Sequence, residues 1–265
     1  MIRLIIVLVL CIACMNIQTI FAKHAGEQGL AHAKRLKGSA AVKSNPSHSI
    51  AKAEDTVVKF RIDATKVPEK KDWAENKLKS ELEKRAKLVI ELLDGKGSLW
   101  TRGDVTLIIH PNDGVASASA QIRTIWLSSK FAEKFPHEVI GACIHEFTHI
   151  VQDYCPAPGR AVPYASVPGW LVEGIADWVR WVNYEGESGL KHITEEAKSS
   201  PRHDAGYKTT ASFLDYVSKQ YDSEFVMKLN KICRQGKYTE EVWATLTKKT
   251  RAQLADEWKL KLNNE

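Results

Sequence analysis

Apolar and polar side chains begin to alternate only from about residue 56. Between Thr56 and Ala64, Val58, Phe60 and Ile62 alternate with Lys59, Arg61 and Asp63, the period-two signature of a half-buried strand. From Lys70 to Leu93 the period lengthens: Trp73, Leu78, Leu82, Leu88, Ile90 and Leu93 recur at helical spacing, and Gly95 follows as a stop. Val105 to His110 is a short apolar strand, and Ser117 to Ser129 contains another around Ile122 to Leu127. Beyond Pro136, which suits the first turn of a helix running to about Asp153, the pattern is helical. Residues 154–168 hold four prolines and two tyrosines and read as a loop. Trp170 to Val182 is a second helix, followed by candidates over Thr210 to Gln220, Glu224 to Arg234, Glu240 to Leu246 and Arg251 to Leu262. Thr250 and Gln253 make a capping box for the last of these. The pattern predicts an α+β fold: a small mixed N-terminal sheet with helices, then a mainly helical C-terminal half.

Upstream of this pattern the chain reads differently. Arg3 and the apolar run from Leu4 to Cys14, ending in small residues at Ala22, have the layout of a secretory signal peptide over 1–22. A lipoprotein signal ending at Cys14 and a retained membrane anchor are alternatives, although Cys11 stands where a lipoprotein signal expects leucine. Residues 23–55 are rich in Ala, Lys, Ser and Gly and nearly lack large apolar side chains. They read as a disordered linker or a propeptide, leaving 56–265 as the folded domain.

With 44% hydrophobic residues the domain can form a core without disulfides. Signal removal leaves Cys143, Cys155 and Cys233, an odd number that allows at most one bridge; Cys155 and Cys233 are the candidate pair. The net charge of +6, or +5 once Arg3 is lost, reads as solubility. No aromatic interleaving of the lysines points to specific nucleic-acid binding, and no later segment could span a membrane.

The candidate chemistry begins at residues 145–149, His-Glu-Phe-Thr-His, within an apolar helical run. Positions i and i+4 share a helix face, so His145 and His149 can aim ring nitrogens at one metal. Glu146, rotated about 100° round the helix, can reach a metal-bound water. A third ligand follows on the next predicted helix as Glu173, in Gly-Trp-Leu-Val-Glu-Gly-Ile-Ala-Asp, which completes a catalytic zinc (Zn2+) set and leaves one position open. Asp177, one turn beyond, can accept the hydrogen bond of a ligand histidine's second nitrogen. His110, His137 and His192 have no partner at ligand spacing, and Arg180 reads as structural.

Three segments are recognisable together: Ile-His-Glu-Phe-Thr-His with Gln152; Glu-Gly-Ile-Ala-Asp-Trp-Val-Arg from Glu173; and Gly206-Tyr-Lys-Thr-Thr-Ala-Ser-Phe-Leu-Asp-Tyr. They resemble the basic secretory protein family of plant and bacterial zinc peptidases, from about Val57 to Leu262. The resemblance implies a gluzincin-like zincin fold, related in its core to thermolysin, and a peptide or protein substrate. It also implies an edge strand within Gly114 to Ser129 that pairs with substrate backbone. Tyr207 lies in a shared motif and is the favoured donor to the oxyanion of the reaction. Tyr164, nine residues before Glu173, and His203 compete for that role. The 154–168 loop is longer and richer in proline than the family pattern. A secreted binding or defence protein that keeps the fold without catalysis is the alternative reading, and the presence of Glu146 weighs against it.

Overall fold

Val105, Leu107 and Ile109 are fully buried while Thr106, Ile108 and His110 are partly exposed, and this alternation makes Val105–His110 a strand with one well-covered face. The structure, a computed structural model, describes residues 58–94, 103–154 and 167–264, all within one unit spanning Ala53–Glu265. The expected signal peptide, the 23–55 linker or propeptide, Cys14, Cys155, Tyr164 and Gly95 lie outside the described residues.

Four strands form one sheet: β1 (Phe60–Asp63), β2 (Val105–His110), β3 (Ala116–Ser119) and β4 (Thr124–Ser128). Their order is β1-β2-β4-β3, with β1, β2 and β4 parallel and β3 antiparallel at one edge. The outer side of β1 is capped at Phe60, whose N–H donates to Glu83 Oε1 at 3.1 Å. Glu83 belongs to α1, which opens as a 3-10 turn at Pro68–Lys70, passes through Lys71–Trp73 and a π-turn at Ala74–Leu78, and continues as Lys79–Asp94. All four β3 residues are partly exposed, as befits a sheet edge.

A short helix that the sequence pattern does not predict, α2 (Ser129–Lys134), follows β4. Ser128 caps it, accepting from the Phe131 N–H at 3.2 Å, a contribution of about 1 kcal/mol. The chain then turns through Pro136, so the next helix, α3 (Val139–Gln152), starts at Val139 and not at the proline. Phe147 of α3 packs on Phe60 with ring centroids 5.6 Å apart, tying the motif helix to the sheet.

The second half is helical, as the sequence predicts: α4 (Gly169–Asp177), running into a π-turn at Trp178–Tyr184, then α5 (Gly186–Ser199), α6 (Tyr207–Gln220), α7 (Phe225–Arg234), α8 (Glu241–Thr247) and α9 (Arg251–Asn264). α5 is absent from the sequence reading. The α9 capping box forms: Thr250 N–H donates to Gln253 Oε1 at 2.9 Å, and Gln253 N–H donates back to Thr250 Oγ1 at 3.3 Å. Phe213 of α6 centres an aromatic cluster with Trp243 and Trp258. Cys143 and Cys233 are buried free thiols. Among the described residues no helix is long and apolar enough to cross a membrane.

Helices α4 and α6 approach each other closely. A Cβ added to Gly174 would lie 2.1 Å from Cγ2 of Thr210, a residue with no solvent exposure. Thr210 cannot rotate away, because its hydroxyl accepts from the Gly206 N–H at 3.1 Å and donates to the His203 carbonyl at 2.7 Å. Alanine gains about 1 kcal/mol over glycine inside a helix, but overpacking costs about 1–3 kcal/mol, and a 2.1 Å contact with a locked side chain puts the cost at the upper end, above the gain. Gly174→Ala is therefore expected to lower the urea midpoint, and Thr210→Ser, which removes the nearer clashing methyl and keeps the hydroxyl but leaves Cβ 2.6 Å away, is expected to restore part of it. A Gly174→Ala protein as stable as the parent would refute this packing.

Candidate metal centre

Helix α3 carries a nearly continuous apolar surface that buries Cys143, Ile144, Phe147, Ile150 and Val151, so its polar residues must find partners inside the protein. His145 and His149 are one turn apart, as their spacing predicts, and face α4. His145 Nδ1 lies 2.7 Å from Asp177 Oδ1. His149 Nδ1 lies 2.7 Å from Gln152 Oε1. A carboxylate and an amide oxygen can only accept, so both imidazoles carry their proton on Nδ1. The Gln152 orientation is fixed in turn, because its Nε2 donates to the Val172 carbonyl at 2.9 Å.

The other ring nitrogens are left with lone pairs, and these converge. His145 Nε2 is 3.1 Å from His149 Nε2 and 3.1 Å from Glu173 Oε2, and His149 Nε2 is 3.5 Å from the same oxygen. These three residues form the candidate metal-holding group among the described residues. Ligand atoms about 2.0–2.1 Å from a tetrahedral zinc stand roughly 3.3 Å apart, which matches this triangle. Three acceptors at such distances repel one another unless a cation lies between them. The donor set thus fits a metal, with the remaining face of the triangle available to a further ligand.

The titration behaviour of the metal-free chain expresses the same demand. Burial would lower the His145 pKa, but Asp177 and Glu173 outweigh it and raise it to about 10. Burial likewise opposes charge on His149, and Glu173 outweighs it, so this pKa also rises. Burial would raise the Glu173 carboxyl, but the two imidazoles hold it well below the usual carboxylate range. Glu146 is half-buried and its pKa is raised, chiefly by burial, with both histidines pulling the other way.

Tyr207 lies over the cluster. Its ring is nearly parallel to His145, at 11° and 6.2 Å between centroids, and the side chain is 39% exposed. It holds φ at +46°, a left-handed conformation unusual for a bulky residue, next to Gly206 at +84°. Strain of this kind costs about 1–3 kcal/mol and persists only where the surroundings enforce it. Here Thr210 enforces it by binding the Gly206 N–H. His203 is engaged elsewhere: Arg251 Nη1 donates to its Nε2 at 2.5 Å, and Trp170 and Phe213 pack on its ring. Burial and Arg251 lower its pKa. Arg180 is structural, ion-paired with Glu138 and stacked 4.2 Å over Trp181.

Of the described residues expected at the site, His145, His149 and Glu173 come together, with Asp177 on His145 and Tyr207 over it; the contact of Gln152 with His149 is not foreseen from the sequence. The position of Gln152 three residues after His149, on a buried helix, is the available signal. A buried glutamine needs partners, and a ligand imidazole one turn back is within reach.

Two histidines and a glutamate on neighbouring helices thus form a group that could hold one metal ion. The sequence model of the family described as "Peptidase of plants and bacteria" (BSP) matches residues 70–258, and the chain belongs to that family. No curated protein and no solved structure matches the chain.

The His145 pKa sets an expected pH dependence for the metal-free protein. Its folded pKa of about 10 exceeds the ordinary 6.5, so the ion pair's contribution is complete below pH 6.5 and is lost as pH rises towards 10. In chelator-treated protein the unfolding free energy is expected to fall over this range. Asp177→Asn, which keeps an acceptor and removes the charge, is expected to flatten the decline. Parallel curves for parent and variant in urea titrations at each pH would contradict this assignment.

Proposed function

We propose that the protein is a secreted zinc metallopeptidase that hydrolyses peptide bonds, with a zincin-like arrangement of sheet edge and helix pair. The observation that carries the reading is the convergence of three acceptors at 3.1, 3.1 and 3.5 Å, with each histidine's other nitrogen already committed. His145, His149 and Glu173 would hold Zn2+. When bound, zinc supplies a Lewis acid for a substrate carbonyl and a water acidified to a pKa of about 7.

The chain's own residues account for the remaining roles. Asp177 and Gln152 keep the imidazoles in the tautomer that leaves Nε2 unprotonated. Glu146, adjacent to a ligand in sequence and with a raised pKa, is suited to take a proton at neutral pH and return it to the leaving amine. The Tyr207 phenol is the candidate donor to the developing oxyanion. β3, at the sheet edge, can pair with an extended peptide through its backbone. Its four side chains, Ala-Ser-Ala-Ser, are too small to obstruct such a strand. Export rests on the apolar run of residues 4–14 and the small residues ending at Ala22.

Denatured protein substrates, with and without a zinc chelator, test the activity. Glu146→Gln is expected to lower kcat by about 10²-fold or more while retaining zinc. Tyr207→Phe is expected to lower kcat by about 10²-fold with little change in KM. Cleavage that survives both the chelator and Glu146→Gln would refute the mechanism.

A further inference from the structure

One side chain holds the turn that leads into α6. Gly206 has φ +84° and ψ −179°, a combination open essentially to glycine alone, and Tyr207 follows at φ +46°, where a bulky residue is sterically disfavoured. Both polar backbone groups of Gly206 are bound by Thr210. The Gly206 N–H donates to Thr210 Oγ1 at 3.1 Å, and the Thr210 N–H donates to the Gly206 carbonyl at 3.3 Å. The same hydroxyl reaches three residues further back and donates to the His203 carbonyl at 2.7 Å. Thr210 has no solvent exposure, so water does not stand in for these bonds.

The chemistry of this clamp requires a hydroxyl. A backbone N–H only donates and a carbonyl only accepts, so the group between them must accept from Gly206 and donate to His203. A hydroxyl does both with its single proton, and a methyl in its place does neither. The far end is itself anchored, because Arg251 holds the His203 ring and Trp170 and Phe213 pack on it. Thr210 thus ties Gly206 to a fixed point. If Tyr207 relaxed to an ordinary helical φ of about −63°, its Cβ would swing round the N–Cα bond. The ring would then leave its place nearly parallel to His145, 6.2 Å between centroids. On its other side the Thr210 methyl fills the space opposite Gly174, beside Glu173.

We propose that Thr210 is a positioning residue for the Tyr207 phenol: its hydroxyl clamps the 203–206 turn, so that the ring stands over the candidate metal centre before substrate arrives. This rests on the reading of Tyr207 as the oxyanion donor. Thr210 is buried beneath the turn and acts only through it.

Two readouts test it. One is kcat and KM on a denatured protein substrate. The other, taken on the metal-free chain, is the set of Tyr207 ring resonances in protein with isotope-labelled tyrosine, assigned by their loss in Tyr207→Phe. Thr210→Val keeps the shape and removes the hydroxyl. It is expected to lower kcat about tenfold, with KM and zinc affinity within about twofold of wild type, and to move the Tyr207 resonances towards those of a free tyrosine. Thr210→Ser keeps the hydroxyl and is expected to leave both readouts near wild type. Thr210→Ala differs from the serine variant by the hydroxyl alone and is expected to behave like the valine variant, so the comparison stands even if valine disturbs folding. In a Tyr207→Phe background, Thr210→Val is expected to lower kcat no further, since it acts through the phenol. Thr247→Val is the structural control: it removes a buried hydroxyl that donates to the Trp243 carbonyl at 2.7 Å. It is expected to lower the thermal midpoint and move neither readout. If Thr210→Val and Thr210→Ala lower only the midpoint, or if zinc affinity falls in step with kcat, the clamp is overturned while the donor role of Tyr207 stands. If Tyr207→Phe itself leaves kcat unchanged, the donor reading fails and the clamp falls with it.

Discussion

The imidazole nitrogens of His145 and His149 and the Glu173 carboxylate bring three electron pairs to within 3.5 Å of one another, and partial burial limits the water that could separate them. Such an arrangement is costly unless positive charge fills it. A proton can partly serve: His145 holds one tightly in the metal-free chain, through Asp177 first and Glu173 next. A divalent cation satisfies all three at once. Much of the surrounding structure acts to keep these atoms from relaxing apart. Asp177 and Gln152 block ring rotation, the apolar surface of α3 anchors the helix on the sheet, and α4 is pressed against α6 at Gly174.

That last contact links the ligand helix to the residue above it. Thr210 meets Gly174, next to Glu173, and through its hydroxyl holds the Gly206 backbone just before the strained Tyr207. A single buried threonine therefore conveys the position of α4 to the turn that presents the phenol. The π-turn at Trp178–Tyr184 begins directly after Asp177 and shifts the helical register where the partners change from ligand support to the Arg180–Glu138 ion pair.

Where the sequence was legible, one strong local signal met no tertiary competitor. The short apolar run from Val105 to His110 had no rival reading, the Thr250–Gln253 box specified its own helix start, and the spacing of His145, His149 and Glu173 placed them together. It was illegible where long-range contacts decided. Ser117 to Ser129 reads as holding one strand because Ile122 looks like a core residue. In the structure Ile122 is 62% exposed, and the chain reverses near Arg123 at φ +48°, a turn that no glycine or asparagine announces. α5 escaped because Gly189 weakens its pattern. That glycine is required by the fold, since a Cβ there would lie 2.1 Å from the Trp181 carbonyl. The role of Gln152 was hidden because the partner that orients it, the Val172 carbonyl, lies on another helix.

The meeting of Gly174 with Thr210 also bears on how sequences of this kind can diverge. The two positions share one fixed volume, so what one side chain gains the other must surrender. A lineage could pass from glycine opposite threonine to a larger residue opposite a smaller one only by way of an overfilled or an underfilled intermediate. Each such intermediate would move Glu173 or Tyr207 before its partner had adjusted. The two positions are therefore expected to change size together, although they stand far apart in the chain.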